Sequence, residues 1–473
     1  MEHTRPRRGR PVPRERRGEG RAPAPTRTRV LALRVLERVQ RAGAYADLLL
    51  HANLARSDLS GPDRAFATEL VYGTLRWRGR IDHLLRRCLD RDLDRLEPLV
   101  ATALRLGAYQ ILFADRVPAS AAVDESVRCV RALGAERSTG LVNAVLRRLA
   151  REHGDIALPA LVDDPLGHLM YALSLPQWIA ARFIESFGPE EAALLAAACN
   201  EAPPLTVRAN PLAVSRDALL GELSQRYPEA RPCAHAPDGI SLGRRGNPSL
   251  DPAFRAGRFT VQDEASQLVV ALLDPSAGER VLDVCAAPGG KATAIAERVG
   301  ASGSVLALDR NERRLELVRR AARRLRLGNL ACRVVDATRA LPESVVATPF
   351  DRVLVDAPCS GLGALRRNPD ARWRVHPGDP ARLAESQRAI LRSASAALRP
   401  GGVLVYSTCT LLPEENEAVV EAFLRDCGGF ALAPASSAPA CVRPLLDESG
   451  FLRTWPHRHD ADGFFAARFE RRA

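Results

Sequence analysis

Residues 279–291 read ERVLDVCAAPGGK, a short apolar run that breaks on a proline, two glycines and a lysine. A Val- and Leu-rich run that stops this way predicts a strand turning into a helix, because glycine lets the backbone bend tightly and approach a ligand closely. The exposed amides of such a helix start favour a carboxylate or phosphate. The spacing is not GxGxxG, which argues against a nicotinamide or flavin cofactor. Four more apolar runs follow: SVLALD (304–309), CRVVDAT (332–338), DRVLVDAPC (351–359) and GGVLVYSTC (401–409). Helical segments such as NERRLELVRRAARRLRLG and PARLAESQRAILRSASAALRPGG separate them. Alternation of this kind predicts an α/β, doubly wound, Rossmann-like domain with a mostly parallel sheet. In such sheets ligands bind beyond the carboxyl ends of the strands.

The suspicious residues lie at those ends. Asp309, Asp336 and Asp356 each close a run. An acid some twenty residues beyond the glycine turn is placed to accept hydrogen bonds from ribose hydroxyls, and a second acid could receive an adenine amino group. Two thiols, Cys359 and Cys409, close the fourth and fifth runs. If those strands are neighbours, the thiols face one pocket. A thiol there suits a pyrimidine substrate: carbon 5 of cytosine is a poor nucleophile until a thiolate adds to carbon 6 and makes it enamine-like. Asp356 could then hydrogen-bond the cytosine edge, and the base must be single-stranded or flipped out. The arginines of ALRRNPDARWR (Arg366, Arg367, Arg372, Arg374) suit RNA phosphates, and Trp373 suits either base stacking or local packing. Glu414, Glu415 and Glu417, after Pro413, read as dipole partners of a helix start.

The chain has 473 residues, enough for about three domains at roughly 150 residues each. Its formal charge of +12 favours an anionic partner, nucleic acid first. Lys291 is the single lysine among 68 basic residues, a hint that a compact ammonium is needed at that point. The ten cysteines are scattered without zinc-site spacing, so small buried side chains are expected and no metal. No apolar run is long enough for a membrane span and no secretory signal is evident, which makes the cytoplasm the expected address. Residues 1–29 form an arginine-rich arm expected to be disordered. Residues 30–153 read as an all-α module, 154–255 as a small α+β connector and 256–473 as the catalytic domain. In the connector Arg208 and the pair Arg244 and Arg245 are possible phosphate contacts beside an ordinary solvated face.

The stretches VQDEASQLV, DVCAAPGGK, DAPCSGLGALRRNPD, LRPGGVLVYSTCTLLPEENE and DGFFAARF together resemble the RNA 5-methylcytosine methyltransferases that use S-adenosylmethionine. The resemblance implies Cys409 as the nucleophile and Cys359 as the thiol that assists product release. It also implies that Cys285, Ala286, Ala287, Pro288, Gly289, Gly290 and Lys291, with Asp309, Asp336 and Asp356, hold the cofactor. DRAFATELVYGTLR, LRLGAYQILF and GLVNAVLRR are similar to the NusB RNA-binding fold. A NusB-like module ahead of such a domain resembles the bacterial small-subunit ribosomal RNA methyltransferases. The expectation is methylation of carbon 5 of a specific cytosine in 16S RNA through a cysteine–cytosine adduct, by a monomer. Two rivals are an RNA-binding factor with an inert sheet and a small-molecule methyltransferase. The first is at odds with an intact set of thiols and acids, the second with a basic arm and a helical RNA module.

Overall fold

The computed structural model describes residues 24–244 and 246–472. Most of the arginine-rich arm, and Arg245, therefore lie outside the described residues. The first helix, Arg27–Ala42, begins inside the stretch read as arm, and Thr26 is tied through its N–H and hydroxyl to Glu125.

Seven α-helices fill Arg27–Glu152 around one core. The central helix, Pro98–Phe113, is apolar on all sides and buried over most of its length, as a helix enclosed by others must be. Its Tyr109 ring fits only because residue 73 is glycine: a Cβ there would stand 2.1 Å from the ring. The first helix ends on Gly43, whose φ of 58° is the left-handed cap that glycine supplies without strain.

The connector carries the helices Gln177–Phe187 and Pro189–Ala198 and a four-stranded antiparallel sheet. Its strands are β1 (Thr206–Ala209), β2 (Arg231–Pro232), β3 (Gly239–Ser241) and β4 (Phe259–Val261), in the order β2-β3-β1-β4. The eight-stranded sheet that follows contains β5 (Arg280–Asp283), β6 (Ser304–Asp309), β7 (Leu330–Val334), β8 (Phe350–Asp356) and β9 (Leu398–Thr408). It also contains β10 (Phe430–Leu432), β11 (Leu452–Thr454) and β12 (Phe464–Arg471). The order is β10-β12-β9-β8-β5-β6-β7, with β11 on β12. β7, β6, β5, β8 and β9 are mutually parallel, and β12 runs antiparallel to β9. The five runs read from the sequence are the parallel strands. β10 and β11 escaped periodicity because they span three residues each.

Of the arginines expected on RNA phosphates, Arg366 and Arg372 are buried and Arg367 is held by two acids instead. Arg372 is fully buried and donates to the carbonyls of Arg76, Ser174 and Cys199 and to Asn200 Oδ1, at 2.9–3.2 Å. Arg366, 1% exposed, reaches Asp460 and Asp462, each at 3.0 Å. Arg367 bonds Asp462 at 2.7 Å and Asp263 at 2.6 Å. Trp373 donates to the Leu75 carbonyl at 2.6 Å, which makes it a packing anchor, and Arg374 lies over the Tyr45 ring. This segment wedges the helical module, the connector and the catalytic sheet together. The physical reason is engagement: a guanidinium offers five N–H donors, and several of those on Arg366 and Arg372 are turned onto fixed protein acceptors, with Arg366 Nη2 and Arg372 Nε left without a partner. The connector arginines behave alike. Arg208 pairs bidentately with Glu297 and also donates to the Gly290 carbonyl at 2.8 Å, and the exposed Arg244 pairs with Asp460.

Arg372→Met would leave four buried acceptors unmet, an estimated cost of about 2–4 kcal/mol after relief of the buried charge. Thermal unfolding should show a lower midpoint than wild type. A midpoint within a degree would mean the wedge contributes no cohesion.

Candidate active site

The glycine turn is built by sterics. Gly289 sits at φ 111°, and a Cβ there would come 3.1 Å from the Val318 Cα; the helix Gly290–Val299 starts immediately after it. β5, β6 and β8 end side by side because they pair in parallel, so Asp283, Asp309 and Asp356 gather at one edge.

Asp309 is 6% exposed and its Oδ1 accepts the Asn311 N–H at 2.8 Å, while Oδ2 has Arg314 at 3.6 Å. Asp336 is open to solvent. Bonds from the Thr338 hydroxyl and N–H hold its carboxyl below the usual value. Asp356 shares Oδ2 with Lys291 Nζ at 2.7 Å and takes the Ser407 hydroxyl on Oδ1 at 2.9 Å. Cys359 and Cys409, both half-buried, stand 3.3 Å apart sulfur to sulfur, and the Cys409 N–H points at the Cys359 sulfur at 3.3 Å. The contact with Cys409, then burial, pushes the Cys359 thiol well above its ordinary pKa, so it stays protonated.

Two cavities meet at these residues. One, of about 290 Å³, is lined by Asp309, Asp336, Cys359 and the loop after β5; the other, of about 350 Å³, is lined by Gln262, Pro288, Gly290, Lys291 and Phe464. Cys285, Ala287, Asp356 and Cys409 line both, Ala286 lines only the second, and Gly289 lines neither. Among the described residues no cluster of His, Cys, Asp and Glu is arranged to hold a metal, and no helix is long and apolar enough to cross a membrane.

Two groups were missed or misread. Asp283, lining the second cavity, is 1% exposed, and neither carboxylate oxygen has a hydrogen-bond partner of normal geometry. Burial, then the charge of Asp356, raises its pKa to about 8, against the pull of Lys291 and the Cys285 N–H. Its signal was an acid closing an otherwise apolar strand. Glu415, read as a helix-dipole partner, is instead wholly buried beneath the thiol loops, and Glu414 and Glu417 pair with Arg182 and Arg453. Spacing cannot distinguish these roles, because the three acids share one turn and differ only in what packs over them.

Comparison with known proteins places this arrangement. Residues 26–151 match the NusB family, 175–247 the RsmF/B-like ferredoxin-like domain, and 270–470 the 16S rRNA methyltransferase RsmB/F family. A probable ribosomal RNA small subunit methyltransferase B from Synechocystis is 38% identical over 94% of this chain and 99% of that protein. One from Bacillus subtilis is 36% identical over 93% and 98%. The crystal structure of PH0851 superposes with a TM-score of 0.78 at 26% identity, covering 93% of this chain and 99% of the other. A NusB domain, a ferredoxin-like connector and a mixed-sheet methyltransferase domain thus define the class. The chain belongs to the RsmB/F family of 16S rRNA methyltransferases.

Asp283→Asn tests the buried acid. Between pH 4 and 8 the folded protein keeps a proton that the unfolded chain has released, so wild-type stability falls as pH rises, by about 1.4 kcal/mol per unit from this group. Melting curves without cofactor should show the variant gaining on wild type from pH 6 to 8 and no further above 8. Parallel curves would mean the carboxyl is already ionised.

Proposed function

We propose that the protein methylates carbon 5 of a cytosine in small-subunit ribosomal RNA, with S-adenosylmethionine as donor and Cys409 as covalent nucleophile. The observation that carries this reading is the pair of sulfurs 3.3 Å apart, one of them on the wall shared by two cavities. One cavity then takes the cofactor and the other the base, with transfer across the wall at Cys409.

The first cavity fits a nucleoside with a charged tail. Asp309 has an oxygen without a close donor, and the exposed Asp336, Arg310 and Arg314 line the same space. S-adenosylmethionine held there supplies an electrophilic methyl group. On the protein side, the Cys409 sulfur bonds to carbon 6 of the flipped base and carbon 5 becomes the nucleophile. Asp356, braced by Lys291, hydrogen-bonds the base edge and favours ring protonation during the addition. Transfer of the carbon 5 proton to solvent water after methylation returns the electron pair to the ring, breaks the sulfur–carbon bond and releases Cys409 as a thiolate. Cys359, held as a thiol, offers an S–H to the Cys409 sulfur and assists that release. Membership of the RsmB/F family and the net positive charge support ribosomal RNA as substrate.

Transfer of labelled methyl from S-adenosylmethionine to unmodified small-subunit RNA should mark carbon 5 of cytosine with wild type and not with Cys409→Ala. Equal labelling would sink the covalent mechanism. Cys359→Ala should accumulate a protein–RNA adduct on denaturing gels, whereas free turnover would remove the release role.

Asp309→Ala should weaken S-adenosylmethionine binding by at least about tenfold in calorimetry, the loss of one good charge-assisted contact. The melting curve should be unaltered. Unchanged affinity would take this acid out of the site.

A further inference from the structure

The two thiols sit just past the ends of their strands. β8 stops at Asp356 and β9 at Thr408, so the strand pairing does not by itself fix Cys359 and Cys409. Two backbone bonds, Ala357 to Ser407 and Gly363 to Cys409, bridge the loops, both at 2.9 Å. Beyond these and the contacts of the Cys359 sulfur itself, the ties between them converge on one buried carboxylate.

Glu415, in the turn Pro413–Glu415, is 0% exposed. Its Oε1 accepts the Ser360 N–H at 2.9 Å and a Gln387 amide hydrogen at 3.0 Å, and its Oε2 accepts the Ser360 hydroxyl. Ser360 Oγ lies 2.7 Å from Thr410 Oγ1. Ser360 follows Cys359 and Thr410 follows Cys409, so the residue after each thiol reaches the same carboxylate, one directly and one through the other. Gln387 also donates to the Pro358 carbonyl at 2.9 Å, from the helix Asp379–Ser395. The neighbouring Asn416, equally buried, takes the Thr408 hydroxyl at 2.6 Å and donates to the Thr410 carbonyl at 3.2 Å. Glu415 lines neither cavity, so it touches neither cofactor nor base.

A carboxylate in this place has a direct chemical reason. It is an acceptor only, and three donors converge on it, so the chain of hydroxyls runs one way, from Thr410 to Ser360 to Glu415. A carboxamide would bring two N–H donors to a side where a donor already points. Burying an acid on a structural turn is costly unless its bonds are worth keeping. These bonds hold two loops whose sulfurs have to meet.

We infer that Glu415 is a positioning residue that sets the separation and orientation of the Cys359 and Cys409 sulfurs. This rests on the thiol chemistry proposed above. Misplacing reacting groups by about 1 Å costs on the order of a hundredfold in rate, and losing the clamp frees both loops at once.

The test compares Glu415→Ala, Glu415→Gln, Ser360→Ala and the Glu415→Ala/Ser360→Ala double variant in the full chain. Each is measured for kcat, for KM towards S-adenosylmethionine and RNA, and for RNA adduct on denaturing gels. For Glu415→Ala, kcat should fall by about 10- to 100-fold with both KM values within about twofold of wild type. Glu415→Gln, which keeps one acceptor, should recover part of the loss. Adding Ser360→Ala to Glu415→Ala should change little, because the two act through one network. Should Glu415→Ala not fold, the Gln and Ser360→Ala variants carry the same comparison. Unchanged kcat in a folded variant overturns the inference. So does a loss that tracks cofactor affinity and melting temperature in every variant, which would make Glu415 ordinary support. Failure of the underlying thiol chemistry reads differently: Cys409→Ala stays active and no variant, Cys359→Ala included, yields an adduct.

Discussion

The parallel pairing of β8 with β9 is the constraint on which the candidate site depends. Its register sets Asp356 opposite Ser407, and the Ser407 hydroxyl bonds the Asp356 carboxylate across it. Three residues beyond the first and two beyond the second, the chain reaches Cys359 and Cys409. A slip of one residue would take Ser407 out of register with Asp356, because side chains alternate along a strand. With the pairing in place, a few loop contacts suffice to bring the sulfurs together. The same sheet edge carries Asp283 and Asp309, so one set of backbone bonds organises the acids and the thiols alike.

Around that edge the protein uses charge as mortar. Arg366, Arg367 and Arg372, with Asp263, Asp460 and Asp462, lie where helical module, connector and catalytic sheet meet. Buried guanidinium groups are expensive unless acceptors and acids answer them, and here several fixed acceptors from three parts of the chain do, so the interface accepts little deviation from one arrangement. Apolar packing works beside them: Leu362, Leu365, Leu411 and Leu412 of the catalytic domain share a core with Leu169, Phe183 and Leu195. The cavity walls contributed by Gln262 and Asp263, from the connector side, and by Lys291 and Phe464, from the sheet, are thereby held in fixed relation.

What the sequence disclosed follows the range of the interactions involved. The parallel strands, the glycine turn and the acids at strand ends are local patterns, and periodicity displayed them. The partners of Arg366 and Arg372 lie 96 and up to 296 positions away, and no local rule says whether an arginine faces a phosphate or a carbonyl. By local pattern alone a cluster of arginines beside the site reads as an RNA surface, whereas in the structure Arg366, Arg367 and Arg372 form an interior wedge. Glu415 was misread for the same reason, since its partner Ser360 is 55 residues distant. Asp283 was overlooked because its character comes from what surrounds it: an acid closing a strand is ordinary until burial leaves both oxygens without partners.

The solitary lysine shows how far such local geometry reaches into composition. Lys291 places Nζ 2.7 Å from one oxygen of Asp356 and 5.0 Å from the centroid of the Phe464 ring. The other oxygen is already occupied by Ser407, so the two-pronged grip that makes arginine the stronger carboxylate partner has nothing to close on. A guanidinium would carry four further N–H groups into a space 10% exposed and walled by an aromatic ring, and each would need an acceptor. An ammonium brings three donors on a compact head, and the ring face takes up part of its remaining charge. The shape of the acceptor, one free oxygen against an apolar wall, accounts for lysine at this position where arginine serves everywhere else.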